Sequence, residues 1–262
     1  MNAKVPYAWT DRQPWLELDF APEEFQSRIA AAQAQLRAAG KEALLVWEDA
    51  DRGGNVRYLS GFNMVWGTSA VLVHRDHEPV LVTNAIAHGE PMHSNIQSSW
   101  MTDVRVSFAG TADDLLAMSL DVLGQWRVAP DALVVAGLAQ IPYFTARAMA
   151  ARWSDAALVA GDAILDRLRR IKSPAEIAII RRVADLTARA MEQAMDAAAV
   201  GASESDVAAA AHQACMAAGA ERMSFGCFPV AGPRGALKNV FPSPQNIIRP
   251  DDLVVIDLGC KL

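Results

Sequence analysis

The side chains able to do chemistry are few and scattered along the 262 residues. His88-Gly89-Glu90-Pro91-Met92-His93 brings two imidazoles and a carboxylate close together in sequence, a combination that suits a metal ion. Pro91 breaks any helix that would put both imidazoles on one face, so a loop or surface pair is the better account. His74 and His77 bracket a polar turn, where solvated side chains are expected. His212 falls on an alanine-rich helical stretch and reads as structural or exposed. Glu204 and Asp206 follow a serine at a helix start, where the dipole favours acids. Cys215, Cys227 and Cys260 form no CxxC pair and read as buried free thiols.

These residues need a scaffold, and the composition supplies one. Apolar residues are 52% and charged residues 21%, a globular balance with ample core. The net charge of −6 and the lack of any Lys/Arg-rich run disfavour nucleic acid or an anionic membrane as partner. The first residues carry no long apolar stretch and no run of eighteen apolar residues occurs. Neither a signal peptide nor a spanning helix is therefore expected, and a cytoplasmic location is the default.

Residues 1–20 read as an irregular arm. Pro22-Glu23-Glu24 opens a helix with Phe25, Ile29, Ala32 and Leu36 on one face, ending at Gly40. Short apolar runs at 43–47, 70–73, 80–82, 104–106 and 132–136 read as strands, with a hairpin turn at 74–77. Helical stretches at 115–123 and 141–151 alternate with them, giving an α/β layer architecture. The texture changes near Gly161. Ser173-Pro174-Ala175-Glu176 is a capping-box helix start, and Ile177, Ile180, Ala184, Ala188, Met191 and Met195 recur at helical spacing. A second helix starts at Ser203 and carries Val207, Ala211 and Cys215. Met191, Met195 and Met216 fit core positions. Phe225–Val230, a Gly/Pro loop over 232–250 and a strand at Leu253–Ile256 follow.

Four segments in order resemble one family. Asn55-Val56-Arg57-Tyr58-Leu59-Ser60-Gly61-Phe62 is similar to an N-domain signature, and Arg169-Arg170-Ile171-Lys172-Ser173-Pro174-Ala175-Glu176-Ile177 to a catalytic-domain start. Phe228-Pro229-Val230-Ala231-Gly232-Pro233 resembles the strand before a substrate loop. Arg249–Gly259 resembles the segment carrying a first metal-binding Asp. The family is the creatinase / aminopeptidase P / prolidase group of peptidase family M24, the pita-bread hydrolases.

The resemblance implies an α/β creatinase-like N-terminal domain over residues 1–160, followed by a partial α+β pita-bread catalytic domain over 161–262. It implies a metal-dependent hydrolase that cleaves the amide before proline, using two divalent ions (manganese, zinc or cobalt) to activate a bridging water. Asp257 is then the first metal ligand, on the rigid platform of a strand end. Trp66 is a candidate for touching substrate. The family's His between the Gly-Pro turn and the Asp strand falls near Val240, yet no His lies between 213 and 262, which leaves Asn239 or Lys238 as a hydrogen-bond donor there. A peptide or small amide is the implied substrate, and a second copy of the chain the implied partner. The sequence ends at Leu262, before the further Asp, His and two Glu ligands, so the chain reads as truncated, without bound ions and inactive as given. A peptide-binding protein without catalysis and a creatinase-like hydrolase of a small C–N compound are the rival readings.

Overall fold

The structure is a computed structural model. It describes residues 3–4, 18–50, 54–64, 67–84, 99–107, 110–153, 158–236 and 240–262. It divides into two units, Met1–Ile171 and Lys172–Leu262.

The first unit is built on a six-stranded mixed sheet: β1 (Ala3–Lys4), β2 (Ala43–Asp49), β3 (Thr68–His74), β4 (Val80–Asn84), β5 (Asp103–Ser107) and β6 (Leu133–Ala136). Their spatial order is β1-β5-β4-β3-β2-β6. β2, β3 and β4 pair antiparallel in succession, while β4–β5 and β2–β6 are parallel. β1 pairs with β5, so part of the expected irregular arm is an edge strand.

Strand geometry sends alternate side chains to opposite faces. On β2, Leu44 and Val46 face one layer while Ala43, Leu45 and Trp47 face the other. The first layer packs on α1 (Pro22–Ala38), α2 (Asn55–Ser60) and α5 (Asp162–Arg170) through Ile29, Leu36, Val56, Leu59, Ile164 and Leu165. The second packs on α3 (Ala112–Gln125) and α4 (Tyr143–Trp153) through Leu115, Leu116, Leu123 and Met149. The expected apolar face of α1 is buried at all four positions. Phe25, Ile29 and Leu36 each contribute roughly 1.5–3 kcal/mol on burial. Because α5 inserts Ile164 and Leu165 into this core, the first unit runs past the expected boundary at 160 to Ile171.

The second unit has α6 (Pro174–Ala197) and α7 (Glu204–Ala217) packed together, with two short ladders: β7 (Arg222–Met223) with β10 (Cys260–Lys261), and β8 (Phe228–Ala231) with β9 (Val254–Asp257). Both helix starts carry complete capping boxes, at Ser173/Glu176 and Ser203/Asp206. The core-facing residues of α6 are Leu186, Ala190 and Ala194. Most of the stripe read from spacing is turned outward instead, though Met191 packs partly against the core as expected. Ile177, Ile180 and Met195 are exposed, as is Met216 on α7, so the core assignment of Met195 and Met216 is corrected. α6 carries two apolar stripes, and spacing alone does not say which one packs.

Candidate functional site

The first-unit signature turns out to be architectural. Asn55–Ser60 is helix α2, closed by Gly61 in the left-handed conformation at φ 74°. Glu48, at the end of β2, is 2% exposed. Its carboxylate accepts from the amides of Gly54, Asn55 and Val56 at 2.9, 2.8 and 2.8 Å, closing the open N-terminus of α2. Asn55 Oδ1 accepts from the Arg169 guanidinium. The Tyr58 ring lies 4.3 Å from the Arg28 guanidinium carbon and 5.7 Å from that of Arg169. Two of the segments that carried the resemblance, at 55–62 and at 169, are thus tied to each other.

The hairpin turn differs from expectation. His74 is only 6% exposed, so the solvated-turn reading fails for it. Its ring lies 4.4 Å from that of His77 and 5.4 Å from Trp126, and its Nδ1 accepts from the Asp76 amide at 3.0 Å. Burial, then the charge of His77, holds the His74 imidazole below 6.5. His212 is exposed, as expected. Trp66, Lys238, Asn239 and the His88–His93 segment lie outside the described residues.

In the second unit, Asp257 closes β9. Val254 and Ile256 turn partly inward, while Val255 and Asp257 turn outward. The carboxylate is therefore presented on an open strand face, opposite Phe228 of β8. Phe228 stacks on Phe225 at 6.1 Å and meets Phe241 edge-on at 5.9 Å. Phe241 is 79% exposed. An exposed carboxylate beside an aromatic wall suits a ligand with one cationic or metal-bound group and one apolar group. The wall escaped the sequence reading because its members are spread over seventeen positions; only the aromatic content flanking the Gly/Pro loop hinted at it.

The loop between β8 and β9 is tied down by Glu204, the first residue of α7, which is fully buried. It accepts from the amides of Ala231 and Ser243, both at 2.9 Å, from Asn246 Nδ2 at 2.8 Å and from Arg234 Nε at 3.2 Å. Burial pushes its pKa up, but these four donors together outweigh burial and hold the carboxyl below its ordinary value. Read in sequence as a helix-start acid, Glu204 is the anchor of the loop.

A pair of hard divalent ions needs several carboxylates or imidazoles in one place. The Asp257 charge bears on the Cys227 thiol, which is pushed up to about 11 by burial and then by that charge. Among the described residues no group of three or more His, Cys, Asp or Glu could hold a metal ion. One carboxylate and one protonated thiol do not by themselves fit a two-ion centre.

Known proteins share this fold. Residues 28–171 match the Creatinase/Prolidase N-terminal domain, and residues 178–262 match metallopeptidase family M24. An uncharacterized hydrolase/peptidase from Sinorhizobium fredii is 29% identical over 227 residues, covering 82% of this chain and 55% of the relative. A Xaa-Pro dipeptidase from Pyrococcus furiosus is 36% identical over 98 residues, 37% of this chain and 28% of its own length. The crystal structure of an X-Pro aminopeptidase from Thermotoga maritima superposes with a TM-score of 0.71 at 19% identity, over 87% of this chain and 59% of that one. The prolidase of Pyrococcus horikoshii gives 0.70 at 22% identity, over 89% and 60%. The chain thus spans a little over half the length of these structures. No helix among the described residues is long and apolar enough to cross a membrane. With an α/β creatinase-type unit followed by the opening of a pita-bread unit, the chain belongs to the creatinase/prolidase family of M24 metallopeptidases.

Proposed function

We propose that this chain belongs to a metal-dependent hydrolase of the Xaa-Pro aminopeptidase or dipeptidase type, which cleaves the amide before proline, with Asp257 as one of several metal ligands. The observation that carries this reading is the outward carboxylate at the end of β9, next to the Phe225–Phe228–Phe241 wall. An apolar wall beside a charged anchor suits a short peptide whose proline ring needs a dry surface. Trp66 and Asn239 remain proposed substrate contacts, manganese, zinc or cobalt the proposed ions, and a second copy of the chain the proposed partner.

The absence of any His between 213 and 262 favours a second reading: a protein that holds peptides without cleaving them. Two measurements separate the readings. Xaa-Pro dipeptides and tripeptides are offered to the 262-residue chain with manganese, and the coding sequence past codon 262 is read. Downstream Asp, His and Glu donors, with turnover appearing once they are included, support the hydrolase. Peptide affinity with no turnover under either condition supports the binding protein. Tight binding of two ions by the 262-residue chain alone would contradict the one-carboxylate assignment.

A further inference from the structure

The second unit buries three thiols, and two of them are neighbours. Cys215 lies on α7 and is fully buried; Cys260 lies on β10 and is 5% exposed. Each thiol lies close enough to feel the other, and the Cys215 Sγ itself points at the Arg222 carbonyl. The backbone explains the meeting. Cys215 Sγ lies 3.8 Å from the Arg222 carbonyl oxygen on β7, and the next residue of β7, Met223, is the ladder partner of Cys260. All of them belong to one core cluster. Cys227 is in that cluster too, but it precedes β8 and sits against Asp257.

We propose that Cys215 and Cys260 are a reversible dithiol/disulfide pair, oxidised by a small-molecule disulfide to a cross-link that ties α7 to β10. In the first step the Cys260 thiolate attacks one sulfur of glutathione disulfide. An S–S bond to Cys260 forms, the glutathione S–S bond breaks, and one glutathione leaves as thiolate. Cys215 then attacks the Cys260 sulfur, forms the protein disulfide and expels the second glutathione. Two S–H bonds are lost and one S–S bond gained; the oxidant is reduced to two thiols, which take up the two protons.

The order follows from access. The Cys215 thiol is pushed up to about 12 by burial and then by the neighbouring Cys260 thiol, so it resists first attack. Cys260 stands on a short ladder, two paired positions flanked by the Glu221–Lys261 and Ser224–Gly259 backbone bonds, so first attack there needs only that local segment to open. The inference does not rest on the proposed hydrolase activity. It bears on the same strand region, since a cross-link at Cys260 would anchor the segment that follows Asp257.

The test treats the native 262-residue chain with millimolar glutathione disulfide, blocks remaining thiols with iodoacetamide and digests with trypsin. Arg222, Arg234 and Lys238 separate the three cysteines, so each falls on its own peptide. The expected result is a linked peptide containing Cys215 and Cys260, reversed by dithiothreitol and at least ~10-fold more abundant than either pairing with Cys227, because adjacent thiols have a high effective concentration. Cys227→Ala keeps the linkage. Cys215→Ala and Cys260→Ala each abolish it, leaving at most a glutathione adduct. Should a variant fail to fold, the wild-type peptide ratio decides alone, with the urea-unfolded chain as reference. Dominant pairing through Cys227, adducts without a protein disulfide, or a 215–260 link seen only in urea would each overturn the proposal.

Discussion

Replacing Glu204 should loosen the loop between β8 and β9 more than any other single change in the second unit. Its Oε1 serves three donors, Ala231 N–H, Asn246 Nδ2 and Arg234 Nε, and its Oε2 serves Ser243 N–H. In Glu204→Gln the amide keeps one carbonyl oxygen for the three donors but turns an NH2 towards the Ser243 amide. One bond is lost, two donors face each other, and the charge that strengthened the rest is gone; the expected cost is roughly 2–3 kcal/mol. In Glu204→Ala all four donors lose their acceptor. Arg234, 35% exposed at its side chain, turns to water and costs little. Asn246 Nδ2 keeps its bond to the Ala231 carbonyl, so the cost falls chiefly on the Ala231 and Ser243 amides, and the expected loss is about 4 kcal/mol. The pH dependence carries its own sign. Because the folded pKa lies below the ordinary value of 4.5, the unfolded chain takes up the proton first as pH falls. The contribution of Glu204 is complete above about pH 4.5, is lost as pH falls through the folded value, and vanishes in Gln. Since the chain has two units, hydrogen exchange at the Ala231 and Ser243 amides is a cleaner assay than a single global transition. Wild-type exchange protection in Glu204→Gln, with an unchanged acid profile, would refute the anchoring role.

Glu48→Ala should strand three amides at the start of α2 and cost roughly 3 kcal/mol, read as a lowered urea midpoint of the first unit. Gly137→Ala should be worse than a typical loop change. Gly137 has φ +86°, and a Cβ there would stand 2.0 Å from the Trp47 backbone oxygen, which has no side-chain freedom to yield; a loss of about 3 kcal/mol or more is expected, and one under ~1 kcal/mol would contradict the contact. Ser173→Ala removes the hydroxyl of a complete capping box and should cost about 1 kcal/mol, measured against Glu176→Ala in a double-mutant cycle that tests their coupling. For His74, whose folded pKa is depressed, the unfolded chain binds the proton first. Stability should hold above about pH 6.5 and decline below it until the folded value is reached, and His77→Asn should raise the His74 pKa in an NMR titration.

What the sequence revealed depended on whether the cause was local. The capping box at Ser173, the helix starts at Pro22 and Ser203, the hairpin at 74–77 and the strand ending at Asp257 are each set by a few neighbouring residues, and the structure has them all. Features set across the chain were not legible. Nothing near Glu204 in sequence signals that its partners lie at 231, 234, 243 and 246, so the sequence supports only a dipole-favoured acid at a helix start. The same blindness affected Glu48, whose three amide donors begin six residues downstream, and α6, where two stripes compete and only the packed partner decides between them. The signature at 55–62 teaches the converse lesson. It identified the family, yet its described side chains are spent on holding α2 in place. Asn55 accepts from Arg169, Ser60 accepts from the Phe62 amide while donating to the Val56 carbonyl, and Leu59 fills the core. That motif therefore marks where the backbone of the first unit must be held, and it carries no information about the second unit, where the Asp257 carboxylate is exposed beside its own aromatic wall.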